Sequence, residues 1–135
     1  MDKDEIKGIE NFDDIEELDL EALIVEGKDA IIDDVVEIYN VKTKAVEKRR
    51  IHIRPISHDE WSKAVRATGK NSKKDLEEIV CAKSWLDKDG MPYELSKIKG
   101  APKGLVTQTY EKIKLISGQL TDPFEEKYLN KLTDF

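Results

Sequence analysis

Residues 49–61 constrain this chain more than any other stretch. Ile51 and Ile53 alternate with Arg50, His52 and Arg54, the period-two pattern of a strand with one buried face. Pro55 ends that strand, because it has no N–H to give to a ladder. Ser57-His-Asp-Glu60 comes next as a capping box. The Ser57 hydroxyl can accept from the Glu60 N–H, and the Glu60 carboxylate can reach back to the Ser57 N–H. The chain before this stretch reads as arm and strand, and the chain after it reads as helix.

The upstream strand partner is rich in β-branched and aromatic residues: Val35, Val36, Ile38, Tyr39 and Val41. A loop containing Lys42, Thr43 and Lys44 separates it from the second strand, so residues 35–54 are expected to form an antiparallel hairpin. A lone hairpin is marginal in water, so the face carrying Ile51 and Ile53 must lie on helices. The first helix is expected over about 58–68, with Trp61, Ala64 and Val65 inward and Gly69 as its stop. The second runs from about Ser72 to Trp85 or Leu86, with Leu76, Ile79, Val80 and Lys83 as its inner stripe. Asp87-Lys-Asp-Gly90 is a turn, and Pro92 opens a short helical segment through Ile98. A long helix after Pro102 carries Leu105, Val106, Tyr110, Ile113 and Ile116. Thr121-Asp-Pro123 opens a last one, extending to about residue 132. The expected class is therefore α+β, a helix-dominated single domain over residues 29–135 with one N-terminal antiparallel hairpin and four or five helices.

Residues 1–28 read differently. Phe12, Ile15 and Leu18 are spaced for one apolar stripe on a short helix, but acidic residues crowd them. The expectation is a flexible acidic arm, ordered only against a partner. Residues 1–40 hold fifteen Asp and Glu against three Lys, a net −12, whereas residues 41–135 hold fourteen against twenty Lys and Arg, a net +6. That asymmetry suggests either an internal contact between arm and hairpin or two surfaces for two partners. The single Cys81 excludes an internal disulfide and suits a reducing cytoplasm. No apolar run approaches the length of a membrane span.

Catalytic motifs are not found. Ser57, His58 and Asp59 are the residue types of a hydrolase triad, but consecutive side chains splay apart, and the cap explains them. His52, His58 and Cys81 lack zinc-site spacing. In calcium-loop register, the turn at Asp87 would put Trp85 and Ser96 where Asp and Glu are required. Gly100 to Gly104 lacks the phosphate-loop pattern. No cofactor or metal is expected. The cations Lys42, Lys44, Lys48, Arg49, Arg50 and Arg54 give the hairpin a basic character, extended around the first helix by Arg66, Lys70, Lys73 and Lys74, and could meet phosphates. No aromatic is interleaved to stack bases.

Residues 50–118, about half of the chain, resemble the small tail-assembly chaperones encoded by tailed bacteriophages and prophages. Three features carry the resemblance. A charged strand feeds a polar helix start, Arg50-Ile-His-Ile-Arg-Pro-Ile-Ser-His-Asp-Glu-Trp61. A middle helical region, Asp75-Leu-Glu-Glu-Ile-Val-Cys-Ala-Lys-Ser-Trp85, precedes a segment with Tyr93-Glu-Leu95. A helix, Leu105-Val-Thr-Gln-Thr-Tyr-Glu-Lys-Ile-Lys-Leu-Ile-Ser-Gly118, ends in Ser-Gly. The resemblance implies a non-enzymatic protein of the host cytoplasm. Such a protein associates with a long tape-measure protein before tail tube assembly and is absent from the finished tail. Some relatives are also made in a frameshifted longer form. A protein partner, with possible self-association, is therefore expected, and Phe12, Ile15, Leu18, Arg49, Arg50 and Arg54 are the candidate contact residues. The rival expectations are a small nucleic-acid-binding regulator using the basic hairpin and a structural tail component.

Overall fold

A computed structural model of the chain describes residues 12–68, 73–118, 120 and 123–124. The elements are α1 (Leu20–Asp29), β1 (Ile32–Asn40), β2 (Ala45–Ile53), α2 (His58–Thr68), α3 (Lys73–Ser84), β3 (Trp85–Leu86), α4 (Leu95–Lys99) and α5 (Lys103–Ile116), with a short 3-10 turn at Phe12–Asp14. The fold is α+β, and the hairpin is N-terminal.

β1 and β2 pair antiparallel from Ile32 opposite Ile53 to Asn40 opposite Ala45. Lys44 takes a left-handed conformation in the connecting loop (φ 57°). The Asn40 side-chain oxygen accepts from the Lys42 and Thr43 N–H groups. Ile51 and Ile53 are buried as the alternation predicts, together with Val36. The expected second helix stops sooner than its apolar pattern suggests. Trp85 and Leu86 form β3 and pair with Ile53 and His52, making a three-stranded antiparallel sheet. Strand pairing holds these two residues at the core, where one more helical turn would carry them off the sheet edge. Leu86 also bridges to Pro92, so Pro92 lies in extended chain and the short helix begins only at Leu95.

The helices cover one face of the sheet. Ile56, Trp61 and Ala64 approach from the β2–α2 link and α2; Leu76, Val80 and Cys81 come from α3; Val106, Tyr110 and Ile113 come from α5. On α3 the buried stripe is rotated toward Cys81: Cys81 is buried, while Ile79 and Lys83 are only half-buried. Burial pushes the Cys81 thiol far above its ordinary value, and the nearby Glu77 and Glu78 charges add to this, so it behaves as a small apolar core residue. Trp85 packs edge-on against Tyr93, ring centroids 5.5 Å apart. Leu120 and Phe124 are partly buried against the same core. Of the expected last helix, Pro123 and Phe124 are helical, and the rest lies outside the described residues.

Candidate protein-interaction surface

The capping box forms as the sequence requires. The Ser57 N–H donates to Glu60 Oε1 at 3.1 Å, and the Glu60 N–H donates to Ser57 Oγ at 3.2 Å. Arg54 converges on the same carboxylate. Its Nη2 donates to Glu60 Oε2 at 2.7 Å, its Nε to the Lys83 carbonyl at 3.1 Å, and its backbone N–H to the Ser84 carbonyl at 3.0 Å. Arg54 therefore ties the end of β2 to the start of α2 and to the C-terminal carbonyls of α3, where a cation is favoured. Partial burial works to raise the Glu60 carboxyl, but the Arg54 hydrogen bonds and charge and the Ser57 N–H outweigh it and hold it below the ordinary carboxylate value.

This geometry divides the arginines that composition groups together. Arg54 is half-buried and held internally, where strand alternation alone places it outward with Arg50 and His52. Arg49 shares a sheet face with Ile51 and pairs with Glu47, whose carboxyl is lowered chiefly by the Asn40 hydrogen bond, with Thr43 and Arg49 adding to it. Arg50 lies on the opposite face. There Lys48 stands across from Glu37, and His52 Nδ1 lies 2.7 Å from Asp33 Oδ1. The three arginines do not make one basic patch. The remaining chemistry candidates are also separated: Asp59 pairs with Lys63, His58 is exposed, and no cluster of three metal-ligating side chains occurs among the described residues.

The β1 edge of the sheet is covered at its middle. The Gln108 side chain of α5 accepts from the Glu37 N–H at 2.9 Å and donates to the Glu37 carbonyl at 2.7 Å, as a neighbouring strand would. The Val35 N–H donates to Asp34 Oδ1 at 2.7 Å, and Lys112 Nζ holds that oxygen at 3.2 Å. Three outward-pointing backbone groups in the middle of β1, the Val35 N–H and the Glu37 N–H and carbonyl, are thus occupied by side chains. Sequence reasoning misses this device, because residues 71 positions apart show no local pattern.

An open apolar surface lies at α1. Asp19 caps this helix, accepting from the Ala22 N–H at 3.1 Å, and Glu21 sits in the first turn, where negative charge is favoured. Helix formation therefore starts after the expected stripe. Ile15 lies in a bend and Leu18 in irregular chain, both exposed, and Phe12 begins the 3-10 turn. Gly27 is inside the helix, which ends at Asp29 with Ala30 as its C-cap. Leu20, Leu23, Ile24 and Val25 are 59, 55, 58 and 64% exposed. None of the close packings between elements involves α1. Beside it lies a groove of about 910 Å³, lined by Leu23, Ile24, Pro55, Ile56 and Ile116, with Glu26, Arg54, Glu60 and His58 among its polar neighbours. The ion pairs of the described residues do not join the acidic stretch to the hairpin cations.

The chain is therefore an α+β protein with an open aliphatic groove beside an acidic helix. No protein-family model matches it, and no curated protein or solved structure matches it. Among the described residues, no helix is long and apolar enough to cross a membrane.

Proposed function

We propose that this chain is a non-enzymatic protein-binding module that works as a phage-type tail-assembly chaperone. The observation that carries the binding role is α1: a short helix whose Leu20, Leu23 and Ile24 side chains are each more than half exposed on one stripe beside an apolar groove. Contiguous exposed apolar surface of this kind marks interaction sites, and a ten-residue helix gains little from its own hydrogen bonds in water. The tape-measure-like partner rests on the resemblance over residues 50–118. Residues 1–28 serve as the contact element, with the aliphatics of α1 extending the row begun by Phe12, Ile15 and Leu18. The nucleic-acid reading is weaker, since Arg49 and Arg50 lie on opposite sheet faces and Arg54 is engaged with Glu60.

Co-expression tests the reading. A long helical tape-measure protein produced with this chain is expected to stay in the soluble fraction and to co-purify with it. A partner that aggregates equally with and without the chain refutes the chaperone role. A tight, sequence-dependent shift of DNA or RNA at physiological salt points to the rival.

A further inference from the structure

We infer that the α1 groove receives an amphipathic helix from a protein partner, with an aliphatic stripe flanked by Lys or Arg. This rests on the protein-binding reading above and adds the chemistry of what is bound.

Shape and charge argue for this occupant. Helical spacing puts Leu20, Leu23, Ile24 and Gly27 on one stripe of α1, with Glu21 on one flank and Glu26 on the other. The opposite wall is Pro55, Ile56 and Ile116. Ten residues of helix span about 15 Å, enough to lie along two to three turns of a second helix. An extended strand is a poor fit, since the groove is walled by side chains and the β1 edge is interrupted at Glu37 by Gln108.

The charges select the partner's flanks. Residues 12–27 carry seven carboxylates and no Lys or Arg. Glu60, on the far wall, is already paired with Arg54, whereas Glu21 and Glu26 have no ion-pair partner among the described residues. A second copy packing α1 against α1 would set these carboxylates against their own copies, which is repulsive. A helix with cations beside its apolar stripe meets them favourably, and the attraction is screened by salt.

Two labelled, amidated 14-residue peptides test this on the full chain by fluorescence anisotropy. Both carry Leu at helical i, i+3, i+4 and i+7 spacing; one has Lys on the flanks and the other Glu. The Lys peptide is expected to bind, more weakly as salt rises, and the Glu peptide is not. The variant L23D/I24D makes the protein more acidic, yet binding should weaken about tenfold or more, because the apolar contact is lost. E21K/E26K keeps every aliphatic residue and should reverse the preference toward the Glu peptide. Thermal melts establish that both variants remain folded.

Undiminished or tighter binding by L23D/I24D would reduce the effect to bulk charge and overturn the inference. A concentration-dependent dimer of the unmodified chain that is lost in L23D/I24D would assign the groove to a second copy and overturn it equally. Peptide binding without rescue of a co-expressed tape-measure protein would sink the tail-assembly reading and leave this inference standing; rescue that persists in L23D/I24D would do the reverse.

Discussion

The junction around Arg54 and the helix α1 differ in what their side chains meet. Both begin with a capping residue, Ser57 in one case and Asp19 in the other, and both carry aliphatic residues at helical spacing. At the junction the Arg54 guanidinium meets Glu60 and the Lys83 carbonyl, and Glu60 meets Arg54 and Ser57. Trp61 and Ala64 then point into the core. At α1 the cap is satisfied, but the aliphatic residues face outward. Helix formation and helix burial are thus separate events, and periodicity speaks only to the first. Burial requires a complementary surface, and the chain supplies one for α2 but only a half-open groove for α1.

Substitutions should separate the two regions sharply. The largest effect is expected in the core served by the junction. Leu76 is fully buried, so Leu76→Ala should cost about 2–5 kcal/mol, measured by denaturant unfolding. Leu23→Ala on α1 should stay within about 0.5 kcal/mol. Comparable costs at the two sites would mean that α1 belongs to the core.

Arg54→Ala comes next, at about 2 kcal/mol, because it takes the cation from the half-buried Glu60 carboxylate and frees the Lys83 carbonyl. It should also change the acid response. Glu60 is held below its ordinary value in the fold. Its stabilising contribution is present above the unfolded carboxyl range and is lost as pH falls through the lower folded value. The melting temperature of Arg54→Ala should therefore fall less than that of the unmodified chain between about pH 6 and about pH 3. Parallel pH profiles would show that the pair contributes nothing to acid sensitivity.

Much of this contrast is legible in the sequence, and the rest is not for identifiable reasons. The bounds of α2 can be read from residues 57–60, because a capping box is local chemistry. The burial of Ile51 and Ile53 follows from alternation. That same alternation separates Arg49 from Arg50, yet grouping cations by composition hides it. The end of α3 at Ser84 is hidden because Trp85 and Leu86 continue an apolar pattern that suits helix or strand, and only the partner strand β2 decides. The start of α1 does have a local signal: Asp19 before Leu20-Glu-Ala-Leu23 is a cap ahead of a helix-forming run. The stripe of Phe12, Ile15 and Leu18 draws attention a turn and a half too early. Nothing local reveals Gln108 closing the sheet edge over Glu37.

That closure supplies a smaller effect. Gln108→Ala should cost about 0.5–1 kcal/mol, since water can replace part of the lost bonding at an exposed edge. It should also promote concentration-dependent association through β1, visible by sedimentation. A monomer at all concentrations would mean that the remaining contacts suffice to close the edge. The smallest effect belongs to the acidic front. Removing residues 1–28 should shift the stability of the remainder by less than about 0.5 kcal/mol in a thermal melt, because the described part of it packs closely on no other element. A loss of several kcal/mol would place those residues in the core.

Amide hydrogen exchange of the unmodified, unliganded chain tests the central claim most directly. The amides of α1 are predicted to open at a small fraction of the free energy needed for Ile53, Trp61 and Tyr110, which should approach the global unfolding value. Protection of α1 equal to that of α5 would contradict the claim, by showing that the aliphatic face of α1 is already covered in the free protein.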